Sequence, residues 1–458
     1  MASITIYGGV NEIGGNKILL EDKNARIYLD FGESFNFGEE FFYEWLKPRD
    51  ANGLEVYFEF GLVPKIKKLY NSKKLEFSDL EYEKPDIDAV FISHSHSDHT
   101  GHLKFLDGKI PIYLGHGTKK VMDIYAKLYP GFKTFGKHNT FQTFKSGDKI
   151  KIKHLIIEPI HVEHSVPGAY GFIIHTSIGP IIYTGDFRLH GPKSEFTKEF
   201  IKKAKDCKPY AMLCEGTRME KEEEKNYTEG EVEERATEII KNSKGPVFVY
   251  FAMTNVDRFI SFYKAAVKNN RILVIDTKLA YIINELGEKI ADLPDVHTDK
   301  NIQVYYRIAK SRTFCKKDYK DQWDKCFFDK MITHNEINKD PEKYVIHSGF
   351  NKLMELVYIQ PKNADFIYSS SEHFLEGEEN KEERRVLENW LKHFKFNPLL
   401  KTHCSGHACR KDIEETIKEI NPKILIPVHT TVPKEFEKIH DNVLIVEKGK
   451  EYEIIAKG

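Results

Sequence analysis

Phe91-Ile92-Ser93-His94-Ser95-His96-Ser97-Asp98-His99-Thr100-Gly101-His102 is the stretch on which the reading of this chain turns. An apolar run ends at Ile92, and three imidazoles and one carboxylate follow between His94 and His99. Imidazole nitrogen and carboxylate oxygen are the donors a borderline divalent cation takes when one position must stay open to water. Spaced this closely, they cannot all face one point on a helix. On a tight loop they can divide between two ions. A lone His-x-His is an ordinary strand-edge feature, whereas His-x-His-x-Asp-His directly after a buried strand is specific to metal binding.

Outward from this loop, the first half reads as short β-rich runs broken by Gly and Pro: Ser3 to Tyr7, Ala25 to Asp30, Ala89 to Ser93, Leu155 to Ile160, Pro180 to Thr184 and Ala211 to Cys214. Several end on polar or ionisable residues, where loops carry chemistry on a rigid scaffold. The aromatic-rich stretch from Asn36 to Leu80 reads as packing cover. From about Thr217 the texture changes. A charged helix, Glu220 to Asn242, precedes strand Pro246 to Tyr250, a helix with Val256, Phe259, Ile260, Tyr263 and Val267 on one face, and strand Arg271 to Ile275, which together make a βαβ unit of a second domain. Asp276 to Lys343 shows no clear order. Tyr344 to Ile346 and Phe366 to Tyr368 read as strands and Lys381 to Phe394 as a helix. Helix Lys411 to Ile420, stopped by Asn421-Pro422, and strand Ile424 to Ile426 then return to the early texture.

Bulk properties narrow the class. A chain of 458 residues exceeds one ordinary core, so two domains, or one with an insertion, are expected. No run of eighteen apolar residues appears and no signal-peptide pattern opens the chain, which points to a soluble cytoplasmic protein without membrane attachment. The six cysteines contain no C-x-x-C pair, so reduced thiols are the expectation. With 69 Lys plus Arg against 70 Asp plus Glu, any affinity for a polyanion must be local.

The metal loop resembles the second motif of the metallo-β-lactamase superfamily, and the resemblance runs on through the chain. Asp30 in Tyr28-Leu29-Asp30-Phe31-Gly32 resembles the first motif, His164 in His164-Ser165-Val166-Pro167-Gly168 the third, and Asp186 in Thr184-Gly185-Asp186-Phe187 the fourth. The resemblance implies an αββα sandwich in which His94, His96 and His164 hold one zinc, Asp98, His99 and His429 a second, and Asp186 bridges them, with Asp30 supporting the loop from behind. Mn is the alternative metal. His161, three residues before His164, competes for the third motif, but Ser-Val-Pro follows His164. His102, His116, His138, His154, His190 and His373 read as structural or solvated, with His190, four residues past Asp186, holding a second claim.

Cys214-Glu215-Gly216-Thr217, His403-Cys404-Ser405-Gly406-His407-Ala408 and Ile426-Pro427-Val428-His429 resemble motifs A, B and C of the β-CASP branch, although Gly216 departs from the motif A pattern. The expected organisation is a metallo-β-lactamase domain over 1–216 and 398–458, interrupted by an inserted α/β β-CASP domain over 217–397. Tyr7 to Asn16 and the His at motif C are similar to the ribonuclease J family, here in a compact form without its C-terminal extension.

That family implies a zinc-dependent enzyme hydrolysing phosphodiesters of single-stranded RNA, 5′-to-3′ from a monophosphorylated end with some internal cleavage, and a homodimer as its assembly. Asp98, Glu215 and His407 are the catalytic residues it implies, His407 protonating the leaving 3′-oxygen and Glu215 holding the other ring nitrogen. His403 and Ser405 are expected to contact RNA. Asn255, between a strand and a helix, is placed to bind phosphate or simply to cap the helix. Lys310, Arg312, Lys316 and Lys317 read as a solvated basic face. A DNA nuclease of the same branch, a non-catalytic RNA-processing scaffold and a small-molecule hydrolase are the competing classes. The insertion speaks against the last, and the filled ligand positions against the scaffold.

Overall fold

A computed structural model of the chain describes residues 2–35, 41–42, 46–129, 141–220, 227–287, 290, 293–371, 375 and 380–455; His138 and His373 lie outside them. The chain divides into two compact units, one comprising Met1–Leu189, Lys193–Glu224 and Gly406–Gly458, the other His190–Pro192 and Lys225–Ser405.

In the first unit, strands β1 (Ala2–Gly8), β2 (Lys17–Asp22), β3 (Ala25–Phe31), β4 (Ala89–Ile92), β5 (Ile112–Gly115) and β6 (Phe141–Phe144) form a sheet extended at β1 by the C-terminal strand β20 (Glu451–Glu453). A second sheet holds β7 (Ile150–Ile152), β8 (Leu155–His161), β9 (Tyr170–Thr176), β10 (Gly179–Tyr183), β11 (Ala211–Glu215) and β19 (Ile424–Val428), in the order β19-β11-β10-β9-β8-β7. Strand alternation assigns the layers. Ile18, Leu20, Ile27, Leu29 and Phe91 of the first sheet join Ile157, Phe172, Ile181, Leu213 and Ile426 of the second in one core. Their neighbours face outward: Leu19, Tyr28 and Val90 pack with Tyr57, Leu103 and Met122, while Met212 and Cys214 pack with Phe200 and Ile201 of helix Ser194–Asp206 and with Ile413 and Ile417 of helix Arg410–Ile420. Helices thus cover both outer faces, giving the αββα order. Asn421 in the left-handed conformation, φ 49°, ends the last helix.

The second unit is built on β12 (Val247–Tyr250), β13 (Ile272–Asp276), β14 (Ile302–Tyr305), β15 (Met331–Ile332), β16 (Tyr344–His347), β17 (Asp365–Tyr368) and β18 (Leu400–Lys401), in the order β15-β14-β13-β16-β12-β17-β18. Every pairing is parallel, so each connection crosses over and helices flank the sheet. The second unit runs to Ser405 rather than ending at 397 because β18 hydrogen-bonds to β17. Helix Glu229–Asn242 starts on a capping box of Thr228 and Glu231. Helix Val256–Lys268 buries Val256, Arg258, Phe259, Phe262, Ala265 and Ala266, so its inner face is rotated from the one centred on Ile260 and Tyr263. Two polar contacts set that rotation: Arg258 reaches a buried carboxylate, Glu229, and the Tyr263 hydroxyl turns aside to Asp299.

Candidate metal centre

Asp30 organises the metal loop. Near the end of β3, in the left-handed region at φ 57°, it accepts from the Ser93 N–H (2.7 Å), the Ser93 hydroxyl (2.8 Å) and the Tyr183 hydroxyl (2.6 Å), and lies 2.7 Å from His99 Nδ1. A proton on His99 Nδ1, donated to Asp30, would leave the Nε2 lone pair for a metal ion. Asn16 donates to Tyr183 in turn (2.9 Å). Gly32 permits the close approach of β3 to the loop, since a Cβ there would fall 1.6 Å from the Asp98 carbonyl oxygen.

Parallel pairing gathers the remaining ligands. In the second sheet β10, β11 and β19 run parallel side by side, so Asp186, Glu215 and His429 emerge at one edge. His94 Nε2 and His164 Nε2 lie 3.0 and 3.1 Å from His96 Nδ1. Beside them, Asp98 Oδ2 is 3.3 Å from His99 Nε2 and 3.1 Å from His429 Nε2. Asp186 Oδ2 reaches both sets, 3.1 Å from His99 Nε2, 3.6 Å from His94 Nε2 and 3.7 Å from His429 Nε2. Donors around a tetrahedral ion sit about 3.3 Å apart, so this spacing suits metal coordination.

Electrostatics separate the rings: burial opposes a charge on His99, but Asp186, Asp98 and Asp30 outweigh it and hold that imidazole well above its usual range. Burial, reinforced by His99 and His164, pushes His94 well below the usual imidazole range, and burial likewise takes His96 to about 4 and His164 well below its ordinary value. These rings are therefore neutral and present lone pairs. Burial alone would raise Asp98 and Asp186, but the imidazoles of His99 and His429 hold both carboxyls well below the carboxylate range. Oδ1 of Asp98 and Oδ1 of Asp186 are buried without a hydrogen-bond partner. Anionic oxygens left without donors beside converging lone pairs fit a cation. The cluster has the donor set to hold metal ions.

Next to it stands a second pair. His407 Nδ1 lies 3.1 Å from Glu215 Oε2 and 3.9 Å from Asp186 Oδ2. Burial opposes a charge on His407, but the Glu215 carboxylate outweighs it and holds the imidazole up at about 9. Glu215 also accepts from the Phe187 N–H (2.9 Å) and the Thr217 hydroxyl (2.7 Å). Thr217 Oγ1, having spent its proton there, is an acceptor 2.9 Å from His429 Nδ1, which turns the His429 Nε2 lone pair toward Asp98. His164 is oriented likewise, with Nδ1 2.6 Å from the Gly406 carbonyl. The glycine at 216 has a steric cause, because a Cβ there would sit 2.6 Å from the Phe436 ring.

His94, His96, Asp98, His99, His164, Asp186 and His429 are thus brought together, with Asp30 behind them and Glu215 and His407 alongside. His161 stays outside, its ring packed on Tyr170 and Phe196, and His116 and His154 bond to the Phe144 carbonyl and Asp22. His102 packs between Tyr57 and Phe105, and His190 approaches the Ser405 carbonyl instead of Asp186. His403 and Ser405 lie in the second unit, at its C-terminal end. Asn255, also there, is buried and caps helix Val256–Lys268, its amide oxygen accepting from the Arg258 N–H at 3.0 Å. That contact accounts for Asn255 as a cap. Lys310, Arg312, Lys316 and Lys317 are exposed. Sequence reading missed Ser93, Asn16, Tyr183 and Thr217 as supports. Only Ser93 and Thr217 carried a signal, by adjacency to the ligand and acid motifs.

Residues 71–243 match the model of the β-lactamase superfamily domain. Ribonuclease J of Mycoplasma pneumoniae is 22% identical over 93% of this chain and 67% of that protein. The Helicobacter pylori (strain B128) ribonuclease J is 23% identical over 93% of this chain, which spans only 55% of that protein's length, and that of Thermus thermophilus is 22% identical over 93% and 67%. A crystal structure of a protein of unknown function from Enterococcus faecalis V583 aligns with a TM-score of 0.74 at 24% identity, over 98% of this chain and 99% of that one, and shares its fold. With an αββα sandwich, a His and Asp cluster at its strand ends and an inserted parallel α/β domain, the chain is similar to the β-lactamase superfamily domain over residues 71–243 and resembles ribonuclease J along most of its length.

Proposed function

We propose that this protein is a zinc-dependent ribonuclease with two ions per chain, hydrolysing single-stranded RNA mainly from the 5′ end and to a lesser extent internally. The observation that carries the reading is an imidazole and carboxylate cluster with the carboxylate-held imidazole of His407 3.9 Å from Asp186. His94, His96 and His164 would hold one ion and Asp98, His99 and His429 the other, with Asp186 within reach of both sets. When bound, the ions acidify a water nucleophile and offset the charge that builds at phosphorus.

The chain's own groups do the rest. Asp30, Thr217 and the Gly406 carbonyl fix the tautomers of His99, His429 and His164, so that lone pairs rather than protons face the site. Water oxygen bonds to phosphorus as the P–O3′ bond breaks; the departing 3′-oxygen takes a proton from His407, and the proton lost by the water goes to solvent, from which His407 is recharged. Glu215 steadies the imidazolium through Nδ1, leaving Nε2 as the donating nitrogen. The products are a 3′-hydroxyl and a 5′-monophosphate. His403 and Ser405 contact the RNA backbone. The named relatives support RNA as substrate.

The test is end-labelled RNA carrying 5′-hydroxyl, monophosphate or triphosphate, digested beside matched DNA, with elemental analysis of the folded protein. Mononucleotides released from the 5′ end, fastest from monophosphorylated RNA, with two zinc ions per chain, are expected. Release from the 3′ end, only internal fragments without end preference, or DNA cut equally fast would overturn the assignment. A protein that binds RNA with neither metal nor cleavage would be a scaffold.

A further inference from the structure

Arg258 is fully buried, three residues past the cap of helix Val256–Lys268. Guanidinium offers five N–H donors in a rigid fork and accepts nothing. Nε and Nη2 grip Glu229 bidentately at 3.0 and 2.9 Å. That pairing alone would neutralise the charge. Nη2 also donates to the Cys404 carbonyl at 3.0 Å, and Nη1 donates to the Ser369 carbonyl and hydroxyl at 2.6 and 2.7 Å and lies 3.3 Å from His403 Nδ1. The Ser369 hydroxyl passes its proton to the Thr402 carbonyl at 2.5 Å. Three consecutive residues, Thr402, His403 and Cys404, are therefore tied, directly or through Ser369, to one side chain. They follow β18, and Ser369 follows β17, at the carboxyl ends of parallel strands, where open α/β sheets present their binding loops.

We infer that Arg258 is a positioning residue for RNA binding, which fixes the backbone at Cys404 and holds His403 in the tautomer whose proton is on Nε2. Because the guanidinium only donates, His403 Nδ1 must be the acceptor, and the ring's own N–H is then on Nε2, a donor suited to a phosphate oxygen. Lysine cannot substitute: its ammonium donates from a single point and cannot span Glu229, Ser369, His403 and Cys404 together. The inference rests on the proposal that His403 contacts RNA.

The experiment uses the full-length zinc-loaded protein and monophosphorylated single-stranded RNA, with steady-state kinetics on wild type, Arg258→Lys, His403→Ala and the paired change Arg258→Met with Glu229→Gln. In parallel, ¹⁵N-histidine spectra are taken, with His403 assigned by its loss in His403→Ala. Wild type is expected to show His403 protonated on Nε2. Arg258→Lys and the paired variant, folded by circular dichroism, should lose that single tautomer and raise KM about tenfold with kcat changed less than about threefold. If His403→Ala raises KM while the Arg258 variants keep both the wild-type KM and the tautomer, the inference fails and the reading of His403 stands. If His403→Ala leaves KM unchanged, His403 does not hold RNA, and that reading falls first. Should every Arg258 variant fail to fold, the wild-type spectrum still decides, since an Nδ1–H tautomer at His403 overturns the proposal.

Discussion

Asp98 and Asp186 lie buried among imidazoles with one oxygen each lacking a donor, whereas Arg258, as deeply buried, places its donors on Glu229, Ser369, His403 and Cys404. The first cluster is rich in acceptors and lone pairs and contains no cation of fixed charge. The second supplies its own cation and surrounds it with acceptors. Buried charge is costly unless compensated, so the first arrangement is one that ions from outside would complete, whereas the second is complete as folded. Depletion of donors marks a binding centre, and saturation of donors marks a support.

That contrast can be broken at its strongest point. Asp186→Ala removes the oxygen shared by both ligand sets and should lower kcat by more than about 10⁴-fold, with zinc falling below two per chain. Wild-type turnover, or full metal content, would mean that the cluster is not the reaction centre. His407→Ala should keep its metal and lose about 10²–10⁴-fold in rate on unactivated RNA, the range for a general acid. A loss under about threefold would remove His407 from the chemistry.

For the saturated cluster, stability is the sensitive quantity. Arg258→Met leaves Glu229 buried without its partner and should cost about 3–5 kcal/mol in denaturant unfolding, most of it recovered when Glu229→Gln is added. If the second change recovers nothing, the pair is not what holds this region. The smallest effect belongs to Asn255→Ala, which should lose about 1 kcal/mol of stability as a helix cap while RNA affinity and its salt dependence stay unchanged. A weaker affinity with a shallower salt slope would give Asn255 the phosphate contact first expected of it.

Legibility followed the length and regularity of the local signal. The strand before the metal loop, the helices Lys381–His393 and Arg410–Ile420 and the βαβ unit around Val247–Asp276 were readable because apolar spacing matched their periods. Residues 276–343 were not: beyond helix Thr277–Gly287, which was missed, β14 and β15 have four and two residues, and helices Gln322–Cys326 and His334–Lys339 are short. The inner face of helix Val256–Lys268 was misplaced because apolar counting cannot foresee a buried arginine: Arg258 is buried, whereas Ile260 is only partly so.

By itself the sequence determined the donor types of the metal centre and their strand-end placement, since His94 to His99 carry their chemistry in six consecutive residues. It also marked Asp30, His164, Asp186 and His429 as candidates through motif likeness. Tertiary structure decided which of them share a site and how each is oriented. His164 enters while His161 packs on aromatic rings, and Thr217 links Glu215 to His429 across 212 residues of chain. The tautomers of the ligand histidines depend on a carbonyl, a hydroxyl and a carboxylate contributed by distant segments. The reason is geometric: periodicity and composition act over a few residues, whereas the contacts that aim a lone pair depend on which parallel strands are neighbours, and the pairing of β11 with β19 exists only once the chain has folded.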